Sequence, residues 1–210
     1  MDIFEEQFEL DKKRMNNLSD KAKNIYSLMA LERQWKVYEK GSKGYNWNRS
    51  DIYRQLLDQC WETIIENRAI DEELWNICVD NKPTEMMSNI PEQIDDISTF
   101  SLIFVDNFST FIEELLECGV ATRYSLLNFD FLEAFLDEYL ALENDEESKE
   151  IFGKHELVQL EITHQERDYE RIHNCEDFEK LREWYRTECA ESILGEYWFN
   201  SNFIIKSPVS

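Results

Sequence analysis

Glu161-Ile-Thr-His164 and Glu170-Arg-Ile-His173 each place a carboxylate three residues before an imidazole. On a helix that spacing turns both groups to one face, and a Glu-x-x-His on each of two facing helices is the ligand pattern of carboxylate-bridged two-metal bundles. The spacing between the two pairs weighs against such a centre. Nine residues apart on one helix, they point to opposite sides and lie about 13 Å apart along its axis, whereas a shared metal site needs them across from each other. His155 is the only other histidine. The geometry favours a solvated or half-buried helix face, and no metal ligand, catalytic residue or cofactor is assigned. Other enzyme signatures are missing: there is no phosphate-cradling glycine loop, no Gly-x-Ser-x-Gly elbow and no His-Glu-x-x-His, and only five glycines in the chain.

A second set of residues interrupts otherwise apolar stripes. Glu32 falls on the face defined by Ile25, Leu28, Met29 and Trp35; Asn107 breaks an aromatic stripe; Gln165 lies in the line Val158, Ile162, Tyr169 and Ile172, with Glu161 one turn earlier. A polar group buried without a partner costs about 1–3 kcal/mol, and a charge costs more, so these residues should find one another or line a cavity. The expectation is an internal polar network of Glu32, Asn107, Glu161 and Gln165, with Arg33 or Arg54 as counterion. Packing specificity is its favoured role over catalysis.

The elements that would hold these residues read as helices. In residues 52–69, "IYRQLLDQCWETIIENRA", the apolar positions Ile52, Leu56, Leu57, Cys60, Trp61, Ile64 and Ile65 keep to one side of a 3.6-residue turn. Ser50 can cap this helix, Asp51 suits the positive end of its dipole, and Arg54 and Asp58 pair one turn apart. The same periodicity predicts helices over 2–16, from Ser19 to Gly41, a short one before Pro83, and one near 98–117 ended by Gly119. It continues with a helix in "FDFLEAFLDEYLALEN", a long one near 151–173, and a last one capped by Asp177 and running to about Gly195. Scarce Gly and Pro together with long 3.6-period segments place the chain in the all-α class, since a sandwich or barrel of this size would need far more turn chemistry. The expected architecture is one compact bundle of about seven to eight helices, with 1–18 as an additional N-terminal helix and 196–210 as an irregular tail. Tyr45, Trp47, Tyr197, Trp198 and Phe199 fall near helix ends or in loops, where they would anchor an interface or close the ends of the core.

Charge narrows the function. The formal net charge is −23, and residues 51–150 carry 25 acids against five Lys and Arg. Phosphate binding needs cations, so direct nucleic-acid binding is not expected. No apolar run approaches the ~20 residues of a membrane span, the N-terminus lacks the basic-then-apolar order of a signal peptide, and five widely spaced cysteines fit reduced thiols. A cytoplasmic protein is expected.

The segments "ALERQWKVYEK", "IYRQLLDQCWETI", "IPEQIDD" and "LVQLEITHQERD", in that order, resemble the YjaG-like family of small bacterial helical proteins, a domain of unknown function. The resemblance implies a compact helical fold and no established activity, and its acidic helical relatives resemble immunity proteins, which neutralise a toxin by binding it. The leading expectation is therefore a non-enzymatic binding protein, an antidote to a basic toxin such as a nuclease. Glu113, Glu114, Glu117, Asp137 and Glu138 are its expected docking acids. The alternatives are a helical metal protein or enzyme using Glu32, Glu161 and His164, and a housekeeping scaffold, with which a homodimer is compatible.

Overall fold

Residues 24–35 are buried without interruption, so the second helix is enclosed on every side. The computed structural model describes residues 3–45, 50–80, 96–121, 127–133, 136, 152–188 and 192–194. All regular structure among them is helical: α1 (Ile3–Asn16), α2 (Asp20–Tyr45), α3 (Ser50–Glu66), α4 (Glu72–Asp80), α5 (Asp96–Cys118), α6 (Glu156–His173) and α7 (Phe178–Glu188), with helical residues also at 127–133 and 152–154. The chain is an all-α bundle. Helix α2 is its hub, packed against α3, α5 and α6, while α4 and α7 lean on α3.

An enclosed helix is normally apolar all round, yet α2 buries Asn24, Ser27, Glu32, Arg33 and Gln34 beside Ile25, Leu28, Met29 and Leu31. Its polar residues are tolerated because each neighbour supplies a partner, as detailed below. The main core joins α2, α3 and α5 through Trp35, Tyr38, Tyr53, Phe104 and Phe108, whose rings meet at centroid distances of 5.1–6.3 Å. A smaller core gathers Val37, Phe129, Phe131, Leu132, Phe152, Leu157, Val158, Ile193 and Leu194. Each such side chain contributes about 1.5–3 kcal/mol through burial.

Local chemistry fixes the ends. Ser19 Oγ accepts from the Ala22 amide at the start of α2, Asp71 Oδ1 takes the Glu73 and Leu74 amides before α4, and Asp177 Oδ1 takes the Glu179 and Lys180 amides before α7. Gly119 closes α5 in the left-handed conformation, φ 73°.

Four boundaries differ from the expected ones. Helix α2 passes through Gly41 and Gly44 to Tyr45, because each glycine costs only about 1 kcal/mol in a helix and Ser42 between them is buried. Helix α3 stops at Glu66 rather than Ala69, since Asn67 takes φ 58°, which ends the helical repeat. The expected helix from 151 is broken at His155, whose backbone is extended and whose Nδ1 accepts from the Leu157 amide at 3.3 Å, so that α6 begins at Glu156. The last helix does not reach Gly195: residues 192–194 form a turn in which the Ile193 amide donates to the Arg33 carbonyl at 3.1 Å while Ile193 and Leu194 enter the smaller core. The expected tail over 196–210 lies outside the described residues. No helix among those described is long and apolar enough to cross a membrane.

Candidate functional site

Glu32, Arg33 and Gln34 are consecutive on α2, and about 100° of helical rotation separates each from the next. Each side chain therefore meets a different neighbour. Glu32 turns to α3, where Arg54 Nη1 and Nη2 donate to its two oxygens at 2.7 Å each and the Trp61 indole donates at 2.9 Å. Arg54 also reaches Asp58, which accepts from Arg186 of α7 as well.

Arg33 turns to α6. Its Nε and Nη2 donate to Glu161 at 2.9 and 2.7 Å in a two-pronged pair, and Nη1 donates to Asp168 and, at 3.3 Å, to the Tyr185 hydroxyl. That hydroxyl donates in turn to the Met29 carbonyl at 2.7 Å, tying α7 to α2. Asp168 takes Arg167 on its other oxygen. Gln34 turns to the segment 127–133 and to α5: it donates to Asn128 at 2.7 Å and accepts from Asn107 at 3.1 Å. Asn128 closes the circuit by donating to Glu161 at 2.8 Å, beside Gln165 at 3.0 Å.

Burial is complete at the centre. Arg33 and Glu161 are each 1 % exposed and Asp168 is fully covered. For Glu32 burial is the largest influence and pushes the carboxyl up, but the hydrogen bonds and charge of Arg54, with the Trp61 indole, outweigh it and hold the carboxyl below its usual range. Burial likewise opposes the charge of Arg33, and Glu161, Tyr185 and Asp168 together overturn it and raise the guanidinium well above normal. Burial also pushes up the Tyr185 phenol and the Cys60 thiol, so both stay protonated.

All six residues expected to share an internal network occupy this region. They form two separate clusters rather than the single network expected: Glu32 with Arg54, and Arg33 with Glu161 and Gln165, which Asn107 joins through Gln34 and Asn128. The sequence reading missed Gln34, Asn128, Asp168, Tyr185 and the donor role of Trp61. Asp168 had a legible signal, since it lies two helical turns after Glu161 on the same stripe. Asn128 had none, because its partners Gln34 and Glu161 are distant in sequence.

The two Glu-x-x-His pairs part company as their spacing requires: Glu161 and His164 are buried, Glu170 and His173 exposed. Arg33 takes both oxygens of Glu161, and among the described residues no group of three or more His, Cys, Asp or Glu is arranged to hold a metal. Such a sealed, charge-compensated cluster can position helices. Of the expected docking acids, Glu113 and Glu117 are exposed and Glu114 is half-buried on α5; Asp137 and Glu138 lie outside the described residues. So do the side chains of Tyr45, Trp47, Tyr197, Trp198 and Phe199.

None of the known family models matches the sequence, and no curated protein matches it. Among solved structures the chain is similar to the crystal structure of a DUF416 family protein from Shewanella baltica OS155, with a TM-score of 0.73 and 16 % identity. The match covers 87 % of this chain and 96 % of that one. At that identity the likeness carries the fold alone, which is that of a domain of unknown function.

Proposed function

We propose that this protein is a non-enzymatic binding protein of YjaG-like type, an immunity protein that neutralises a basic toxin such as a nuclease by direct contact. The observation that carries this reading is the charge layout of α5. Its residues include five acids and no Lys or Arg, and Glu113, Glu114 and Glu117 crowd its last turns. Carboxylates at the negative end of a helix dipole cost up to ~1 kcal/mol each. The summed field of the α5 acids favours a cationic partner.

The surface is also held firm and offers an apolar contact. Leu116, 52 % exposed, stands among these acids. Beneath it, Asn24 and Ser27 of α2 grip the turn after α5: Asn24 donates to the Gly119 carbonyl at 2.9 Å and accepts from the Ala121 amide at 2.8 Å, while Ser27 donates to the Ala121 carbonyl at 2.9 Å. The acids steer a basic surface inward, and the fixed turn spares the complex the entropy of ordering a loop. Bound there, the chain would cover the toxin's substrate-binding face.

The test is salt-graded capture from extract of the native cell, using the wild-type chain and a Glu113→Gln/Glu114→Gln/Glu117→Gln variant side by side. The reading requires a basic protein that rising salt releases and that the variant retains less well. An acidic partner, or equal retention by both chains, would count against it.

A further inference from the structure

Helix α1 inverts the usual pattern of a helix on a core. Gln7, Asp11 and Arg14, which its spacing puts on one face, are buried, while Phe8 beside them is 50 % exposed. Among the described residues α1 gives the main core Met15 and the smaller core half-buried Ile3. Its path is set near both ends. Ile3 sits against Gly153, where an added Cβ would meet its side chain at 3.5 Å. Arg14 approaches the Tyr169 ring of α6, with its guanidinium carbon 5.7 Å from the centroid and Nη2 3.7 Å from Glu166. Helix α1 therefore lies alongside α6 and runs in the same direction.

The seam beneath α1 is polar and short of partners. Gln7 Oε1, Arg14 Nη1 and the Tyr26 hydroxyl of α2 are buried and make no hydrogen bond among the described residues. They belong to one region: burial acts most strongly on the Tyr26 phenol and raises it well above its ordinary range, and the charges of Asp11, Arg14 and Asp168 act on it next. Gln7 stands one turn before Asp11 on the same face. Each stranded atom raises the free energy of the closed form, and water relieves it when the seam opens. The Arg14–Glu166 pair adds little to hold the seam shut, because the Glu166 side chain is mostly exposed. We propose that α1 is a lid: it lifts from α2 and α6 as one unit while those helices stay folded, and admits water to Tyr26 and to Asp168, the near end of the buried Arg33 cluster. The device is independent of the acidic end of α5 and of whatever partner that surface takes.

The test is amide hydrogen exchange of the full chain under native conditions, from no urea to low urea, read residue by residue. The expected result is that protection of the α1 amides levels at one shared value, at least about a hundredfold below that of α2 and α6, and falls less steeply with urea, because a lifted lid exposes less surface than global unfolding. Two variants test the cause. Tyr26→Phe removes the stranded hydroxyl and keeps the ring, and Gln7→Leu removes the stranded amide at similar size. Each should raise α1 protection by about fivefold or more; a hydroxyl or amide that is hydrogen-bonded in the closed form would give the opposite sign. Equal protection and equal urea dependence in α1, α2 and α6 would overturn the lid, and so would unchanged or lower α1 protection in either variant.

Discussion

Arg33 and Glu161, 128 positions apart in the chain, meet as a two-pronged ion pair with 1 % of either residue exposed. Such a pair gains little over a well-packed apolar substitute, but breaking it leaves an uncompensated charge in the core. Glu161→Ala takes the acceptor from Arg33 Nε and Nη2, from Asn128 and from Gln165, leaving Asp168 alone to balance Arg33, and should cost about 3–5 kcal/mol in urea denaturation. Glu161→Gln keeps the shape and an acceptor and should cost less. Equal losses would show that packing, not charge, sets the stability here.

Acid should find the second pair. Glu32 titrates below its usual range in the folded chain: burial opposes this most strongly, and Arg54 and Trp61 prevail over it. A depressed carboxyl contributes stability that is complete above its unfolded value, about pH 4.3, and disappears as pH falls through its folded value. The loss of stability below about pH 4.3 should therefore be shallower in Glu32→Gln than in the wild type, with the variant already less stable at neutral pH. Urea midpoints across that window measure it, and parallel acid limbs would contradict it.

Thiol chemistry separates the described cysteines. Cys60 is buried and its thiol is pushed up by burial, while Cys118 is exposed at the C-terminal end of α5. Under native conditions iodoacetamide should modify Cys118 and leave Cys60 intact until the chain unfolds, as peptide mapping by mass spectrometry would show. Native labelling of Cys60 would mean that the α2–α3 contact opens on its own.

On the α7 side of the α6–α7 elbow the cap is a carboxylate, Asp177. Asp177→Ala leaves the Glu179 and Lys180 amides without their acceptor and should cost about 1 kcal/mol. Hydrogen exchange should accelerate in the first turn of α7 and not in α2. Faster exchange in both helices would show that α7 and the core unfold as one unit.

Helix existence and the all-α class were legible because long 3.6-residue stripes cannot be read otherwise, as in Leu56, Leu57, Cys60, Trp61 and Ile64. The boundaries were less so. Gly41 and Asn67 carry the same kind of stop signal, yet packing beside Ser42 overrode the first and a left-handed backbone enforced the second. The polar residues on apolar stripes were visible as anomalies, and Glu32, Asn107, Glu161 and Gln165 do meet their partners inside. Their pairing was hidden, because Arg33 choosing Glu161 and Asp168 while Arg54 takes Glu32 is a consequence of how α3 and α6 flank α2. Glu113, Glu114 and Glu117 announced a charged surface from composition alone, but the grip of Asn24 and Ser27 on the turn behind it is a tertiary fact.

The most direct test of the acidic-antidote account is the association rate of the captured basic partner with the wild-type chain and with Glu113→Gln/Glu114→Gln/Glu117→Gln, measured over a range of salt concentrations. The account predicts slower association for the variant, by about tenfold at low salt, with a flatter salt dependence and curves that converge as salt screens the field. Identical rates and identical salt dependence for the two chains would contradict it.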